Sequence, residues 1–347
     1  MATKDNLDFF GSYLHLTIMP TEWCNFRCIY CYEKFFKDKI LMSTNVVEAV
    51  KKFIKNQIPL FKIIHISWYG GEPLIAYNII VDIMKYVNSI KNSNNKIISD
   101  IITNGYLLTL DRFKELLSLG VTSFQITFDG YKDFHDKLRI RLDGKGTFYK
   151  LMNNLIEIKN NINEQFEIHI RVHINRLNLD SIKLLLNELS KTIASDERFV
   201  VYFSFLEKYG GPNDDKLPVV EKDYETRSKI LYELYDYAKM LGLNIGKIAK
   251  NRIIKGMCST ATYPFGFIIK PDGKIAKCSQ DLYSDRGIVG YLDDNGNLYI
   301  DKDKFSWWTR GLRSRNPAEL LCPYEAARNN EDIISLGMVI YEKYGKD

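Results

Sequence analysis

The sequence predicts an α/β protein in which parallel strands alternate with helices, followed by a smaller α+β unit built on hairpins. Three observations predict it. Six short, strand-like apolar runs alternate with helical patterns between residues 12 and 241. No tight hairpin signal joins those runs, so right-handed crossovers through helices are the expected connections. From about Gly246 the rhythm changes to short strands, joined by Pro271-Asp272-Gly273 and by a turn around Asp294-Asn295-Gly296. The division is therefore expected between residues 1–245 and 246–347. Periodicity alone does not separate an open doubly wound sheet from a barrel.

Taken in order, Ser12 to Ile18 alternates like a strand and runs into a cluster of cysteines. Ser43 or Thr44 caps a helix whose Val46, Val47, Val50, Phe53 and Ile54 keep a helical period. Ile63 to Tyr69 is the second strand, ending in Gly70-Gly71-Glu72-Pro73; Ile79, Ile83, Val87 and Ile90 mark the next helix. Lys96 to Ile102 forms strand three up to Thr103-Asn104-Gly105, before a helix with Leu110, Phe113, Leu116 and Leu117. Ser123 to Phe128 is strand four, closed by Asp129-Gly130. A longer loop with His135-Asp136-Lys137-Leu138-Arg139 precedes a helix marked by Phe148, Leu151, Leu155 and Ile158. Strand five runs from Phe166 to Ile174, and its helix carries Ile182, Leu185, Leu186 and Leu189. Phe199 to Leu206 is strand six, followed by a helix from about Glu221 to Leu241. In the second unit, Phe267 to Lys270 and Lys274 to Cys278 form the first hairpin, and Pro317 to Tyr344 is helical in part.

A length of 347 residues suits one large domain, or a large one with a small companion. No apolar run approaches the roughly 18 residues that span a bilayer, so no membrane role is expected. The first residues carry no apolar signal core, and six cysteines without one point to a reducing cytoplasm. The net charge of +5 comes from scattered lysines rather than a basic stripe, which argues against nucleic-acid binding.

The chemistry concentrates in Cys24-Asn25-Phe26-Arg27-Cys28-Ile29-Tyr30-Cys31, which puts three thiolates on one tight loop. A cubane iron–sulfur cluster normally takes four cysteines, so three with no fourth nearby point to a cluster with one open iron. Structural zinc is the competing reading, although it wants a closed set of four ligands. Disulfides fit least, since three cysteines cannot pair among themselves.

The stretch from Pro20 to Glu33 resembles the signature loop of radical S-adenosylmethionine (SAM) enzymes, and more narrowly the peptide- and protein-modifying branch with a C-terminal SPASM or twitch domain. The resemblance implies a partial (β/α)6 TIM-like barrel, open on one side, with a small truncated SPASM/twitch-like α+β domain behind it. In that family SAM chelates the open iron of a [4Fe-4S] cluster through its amino and carboxylate groups. One electron then cleaves it to methionine and a 5′-deoxyadenosyl radical that takes a hydrogen atom from the substrate. The Cys loop, the Gly-Gly-Glu-Pro, the Thr-Asn-Gly and the Thr-Phe-Asp-Gly all fall at the C-terminal ends of strands, where barrels of this kind place their chemistry.

By the same resemblance, Gly70, Gly71 and Glu72 line the methionine end of SAM; read alone, the two glycines make only a tight turn. Tyr30 matches an aromatic position against the adenine, where the plain reading is a core tyrosine. Thr127 falls near the SAM ribose or carboxylate. Arg139, in the pattern H-D-x-x-R, is placed to pair with that carboxylate through its guanidinium fork. Asn104 and Asp129 read as turn formers. Cys258, Cys278 and Cys322 resemble the part of the SPASM pattern that holds one auxiliary cluster. The run for a second is missing, so the three hold one cluster, form a cluster-free remnant, or are isolated buried thiols. Asp281, just after Cys278, is a candidate proton acceptor. Trp307-Trp308 reads as packing between the two units, and the five histidines show no metal spacing.

The expected function is a radical SAM enzyme acting on a peptide or protein, cross-linking a ribosomally made peptide through a thioether or carbon–carbon bond. A sulfatase-maturase-like oxidation of Cys or Ser is the alternative. A non-catalytic iron–sulfur or SAM-binding scaffold or regulator is the rival from another class. An electron donor such as flavodoxin or ferredoxin is implied. With about a dozen residues before the first strand, leader-peptide binding is expected to need a separate partner or another surface.

Overall fold

The computed structural model describes residues 11–33, 40–246, 253–254 and 257–327. The six expected strands are present as β1 (Tyr13–Ile18), β2 (Ile63–Trp68), β3 (Lys96–Thr103), β4 (Val121–Phe128), β5 (Glu167–Ile174) and β6 (Phe199–Phe205). They pair in parallel and in sequence order, with helices as the crossovers. Each helix lays an apolar stripe on the outer face of this sheet. The first, Thr44–Gln57, begins where the Ser43 hydroxyl accepts the Val46 N–H, and it buries Val47, Val50, Phe53 and Ile54.

Period-two alternation sorts β1, β4 and β5 into an apolar outer face and a polar inner one. In β5, Ile168, Ile170, Val172 and Ile174 are fully buried beneath the outer helices, together with Ile182, Leu185, Leu186 and Leu189 of the helix Leu179–Ile193. The intervening His169, Arg171 and His173 face inward, as do Tyr13, His15 and Thr17 of β1 and His65 and Ser67 of β2. The lumen of the partial barrel is therefore polar. On its floor the His15 and His65 rings stack with centroids 4.5 Å apart. Tyr13 donates its hydroxyl hydrogen to His65 Nδ1 at 2.7 Å, while His65 Nε2 and the Ser67 hydroxyl meet Asp100 Oδ1 at 2.5 and 2.6 Å. Burial, and then the neighbouring His65, pull the His15 imidazole down to about 3, so it sits there uncharged at neutral pH.

Beyond the barrel come the short ribbon β7 (Ile253–Ile254) and β8 (Met257–Cys258), then β9 (Gly266–Ile269), β10 (Lys274–Ala276), β11 (Ile288–Leu292) and β12 (Leu298–Ile300). Both expected hairpins form. The sheet does not stop at the expected division, because β9 pairs in parallel with β1, giving one ten-stranded sheet. Phe265 packs on Phe61 at 5.2 Å, and the Tyr263 hydroxyl donates to the Tyr13 carbonyl at 2.6 Å.

One local feature differs from the sequence reading. Lys132–Leu138, expected as loop, is a helix of seven residues, too short to display a period, that buries His135 and Leu138. The helical C-terminal stretch is resolved as Pro317–Leu321 and Pro323–Ala326, and the remainder of that expectation lies outside the described residues. Trp308 is fully buried and donates its Nε1–H to the Arg286 carbonyl; the Trp307 ring lies 4.2 and 4.1 Å from the Arg286 and Arg310 guanidiniums. Among the described residues no helix is long and apolar enough to cross a membrane.

Because β9 completes the edge of β1, a chain ending at Ile245 is expected to expose an unpaired, apolar strand edge and lose cooperative folding. Size-exclusion chromatography and thermal melting by circular dichroism check this; a monomer that melts cooperatively would show the two units to be separable.

Candidate active site

The cysteine loop leaves the end of β1 and is pinned from several sides. Arg27 and Ile29 donate backbone N–H groups to the carbonyls of Ile140 and Leu138 at 2.7 and 3.1 Å. The Arg27 side chain caps the Cys24 and Phe26 carbonyls, both at 2.7 Å. From the loop after β6, Asn213 donates to the Ile29 carbonyl at 3.0 Å.

The strand-end turn after β2 is shaped against this loop. Gly70 and Gly71 have φ of +89° and +48°; a Cβ on Gly70 would stand 2.6 Å from Met19 Cε and one on Gly71 2.3 Å from the Trp23 carbonyl oxygen. Only glycine fits both the backbone and the space. The Gly71 N–H donates to Glu33 Oε2 at 2.8 Å and the Glu72 N–H to the Trp23 carbonyl at 2.9 Å. Glu72 is fully buried and turns its carboxylate inward. Oε1 accepts from the Leu74 N–H at 3.0 Å and the Thr103 hydroxyl at 2.7 Å; Oε2 accepts from the Asn104 N–H at 2.7 Å. Asn104 in turn donates Nδ2–H to Asn25 Oδ1 at 2.8 Å and reaches Cys24 Sγ at 3.9 Å. Asn104 thus does more than form a turn, a role its short polar side chain in a Thr-Asn-Gly turn does not advertise.

Tyr30, Asp129, Arg139 and His173 form one buried constellation. The Tyr30 hydroxyl donates to Asp129 Oδ2 at 2.7 Å and receives Arg139 NH1–H at 2.7 Å. His173 Nδ1–H donates to Asp129 Oδ1 at 2.8 Å. Against the cost of burial, the His173 hydrogen bond and the charges around it hold the Asp129 carboxyl down at about 2, so it is ionised. Burial, then the Arg171 charge, pull His173 down to about 4, so it donates as a neutral imidazole. Arg139 is 6% exposed and its Nε–H has no acceptor among the described residues. An orphaned guanidinium donor beside the cysteine loop fits the carboxylate of SAM. Thr127 is the penultimate residue of β4, with its side chain on the lumen face.

Burial pushes the thiols of Cys24, Cys28 and Cys31 up, and they compound it: Cys28 raises Cys24, and Cys28 and Cys24 raise Cys31. Cys24 Sγ also receives the Phe26 N–H at 3.4 Å. Crowded thiols with N–H donors aimed at them fit a cationic iron–sulfur core.

The fold also brings together Cys258, Cys278 and Cys322, more than sixty residues apart at their extremes. Cys278 is pushed up by burial and then by Cys258 and Cys322, and Cys322, for burial first, rises to about 12. The Ala261 N–H donates to Cys258 Sγ at 3.4 Å, and the backbones of Gln280 and Glu325 favour the thiolates of Cys278 and Cys322. Lys277, fully buried, donates to the Tyr263 and Gly266 carbonyls at 2.7 and 2.6 Å, and burial pulls its ammonium down to about 7. Asp281 is paired with Arg286 at 3.2 Å. Lys270 joins the second unit to the loop by an ion pair to Glu22 at 3.0 Å.

Residues 18–189 match the Radical SAM superfamily. The cysteine-type anaerobic sulfatase-maturating enzyme of Clostridium novyi is 26% identical over 297 residues, covering 78% of this chain and 74% of that one. The GTP 3′,8-cyclase of Clostridium perfringens is 29% identical over 223 residues, but those span only 64% of its length and 62% of this chain. Among solved structures, native anSMEcpe with bound AdoMet and Cp18Cys peptide superposes with a TM-score of 0.64 at 19% identity, over 86% of this chain and 81% of that one. Streptococcus suis SuiB bound to S-adenosylmethionine follows at 0.57 and 16%, over 88% and 68%. These two likenesses show the fold, a partial barrel with parallel strands. With the three-cysteine loop at the end of β1 and the match over residues 18–189, the chain belongs to the radical SAM superfamily, whose members use a [4Fe-4S] cluster and SAM.

Proposed function

We propose that this radical SAM enzyme acts on a peptide or protein and cross-links a ribosomally made peptide through a thioether or carbon–carbon bond. The observation that carries the reading is the second three-cysteine set, Cys258, Cys278 and Cys322, assembled beside the barrel with a backbone donor for each thiol. Such a set holds one auxiliary cluster with an open iron, which suits a peptide side chain bearing sulfur. SAM on the first cluster supplies the hydrogen-abstracting radical. Cys24, Cys28 and Cys31 hold that cluster; Gly70 and Gly71 let the backbone approach SAM, Arg139 and Thr127 face its carboxylate or ribose, and Tyr30 its adenine. Asp281 is the proton acceptor proposed beside the second set. The electron comes from a flavodoxin- or ferredoxin-like donor, and a leader peptide, where one exists, is gripped by a separate partner. The relation to a sulfatase-maturating enzyme over 78% of the chain favours a second reading, oxidation of a Cys or Ser to an aldehyde. Product mass and a carbonyl reagent separate them: a cross-link removes two hydrogens, keeps every sulfur and does not react with a hydrazide, aldehyde formation from Cys expels sulfur, and aldehyde formation from Ser removes two hydrogens and gives a hydrazone.

Alanine at Cys24, Cys28 or Cys31 is expected to abolish 5′-deoxyadenosine formation under anaerobic dithionite while leaving the circular dichroism spectrum intact. Undiminished nucleoside from any of the three would remove the cluster assignment.

Glu72→Gln keeps the shape of the inward carboxylate and removes its charge. If that charge also meets the SAM ammonium, affinity should fall by about 1.5–3 kcal/mol, roughly tenfold to a hundredfold. Calorimetry checks it. Unchanged SAM affinity with a lowered melting temperature would leave Glu72 a purely structural residue.

Anaerobic reconstitution should load about eight irons, two cubanes, and the triple alanine variant at Cys258, Cys278 and Cys322 about four while still cleaving SAM. Wild type saturating at about four would make the second unit a cluster-free remnant.

A further inference from the structure

The lumen wall formed by β4, β5 and β6 carries a permanent cation, Arg171, with no ion-pair partner among the described residues. Arg171 sits on the inner face of β5, its Cα paired with Thr127 on one side and Tyr202 on the other. One amino group donates to the Ser204 hydroxyl at 2.9 Å, while the Nε–H is buried and has no acceptor among the described residues. Arginine does not shed its proton, so the charge stays.

The lumen carboxylates are already committed. Asp129 is held by His173 and Tyr30, and Asp100 by His65 and Ser67. Glu72 is spent on Thr103, Asn104 and Leu74. Gln125 beside Arg171 is occupied by the Tyr202 hydroxyl, at 2.5 Å. Unlike Arg227, which answers the buried Glu207 at 2.5 Å, Arg171 has a guanidinium edge left over. A half-buried guanidinium with an unused Nε–H is shaped to take two carboxylate oxygens side by side.

We infer that Arg171 is a specificity-determining residue that docks a carboxylate of the substrate, so the peptide carries an Asp, a Glu or its C-terminal carboxylate into the lumen beside Thr127. This rests on the peptide reading above. The Ser204 hydroxyl steadies the guanidinium, and Asp129 is held at Oδ1 by His173, 2.8 Å away, and at Oδ2 by the Tyr30 hydroxyl.

The test uses the full chain, reconstituted anaerobically and loaded with SAM, to select from a random octapeptide library prepared in two forms, with C-terminal carboxylic acids and with C-terminal amides. Wild type is expected to enrich peptides with Asp or Glu over Asn or Gln, or acids over amides, by tenfold or more. Arg171→Gln should erase the bias and Arg171→Lys retain part of it, with SAM affinity by calorimetry within threefold of wild type in both. Peptides enriched without any acid preference would overturn the role of Arg171 and leave the peptide reading standing. Failure of wild type to enrich any peptide would overturn both. An acid preference that survives Arg171→Gln, or a tenfold loss of SAM affinity in that variant, would move the carboxylate elsewhere, in the second case to SAM itself, and overturn the assignment.

Discussion

The site depends on one buried carboxylate. Glu72 receives three hydrogen bonds from two strand ends, and through Asn104 it reaches Asn25 and Cys24. Burial pushes the Glu72 carboxyl up, and the hydrogen bonds from Thr103, Asn104 and Leu74 work against that cost. The arrangement fixes the β2 turn, the β3 turn and the cysteine loop relative to one another before any cofactor arrives. Gly70 and Gly71 serve the same end, since larger residues would push the turn away from Met19 and Trp23.

A second theme is the contrast between the two faces of the sheet. Parallel strands covered on both faces read as continuous apolar runs. Here β5 reads Ile168-His169-Ile170-Arg171-Val172-His173, and that alternation is the signature of an inner face left for polar contacts. The outer face is closed by helices whose buried positions are almost wholly aliphatic or aromatic. Stability is concentrated outside, and chemistry is left to the inside.

Much of this was legible from residue order. The six strand–helix units, the helix starting at Ser43, both hairpins and the cysteine loop follow from periods and turn residues that act locally. What escaped is what depends on distant partners. The inward direction of Glu72 is set by Thr103 and Asn104, and the stacking of His15 on His65 by the register of two strands. Nothing in the residue order marks Arg171, because its unused guanidinium edge depends on the partners its neighbours take. The helix Lys132–Leu138 escaped for the opposite reason, being too short to show a period at all.

The pairing of β1 with β9 joins residues roughly 250 positions apart, His15 with Gly266 among them. The strand that leads into the cysteine loop is made well before its second neighbour, which leaves the ribosome roughly 250 residues later. A ladder of such high contact order closes late and slowly. Until then β1 has one open edge, and the loop at its end has neither the Lys270 partner of Glu22 nor a finished barrel wall beside it. Cluster insertion into a settled loop therefore belongs after translation, on the complete chain, rather than on the emerging barrel.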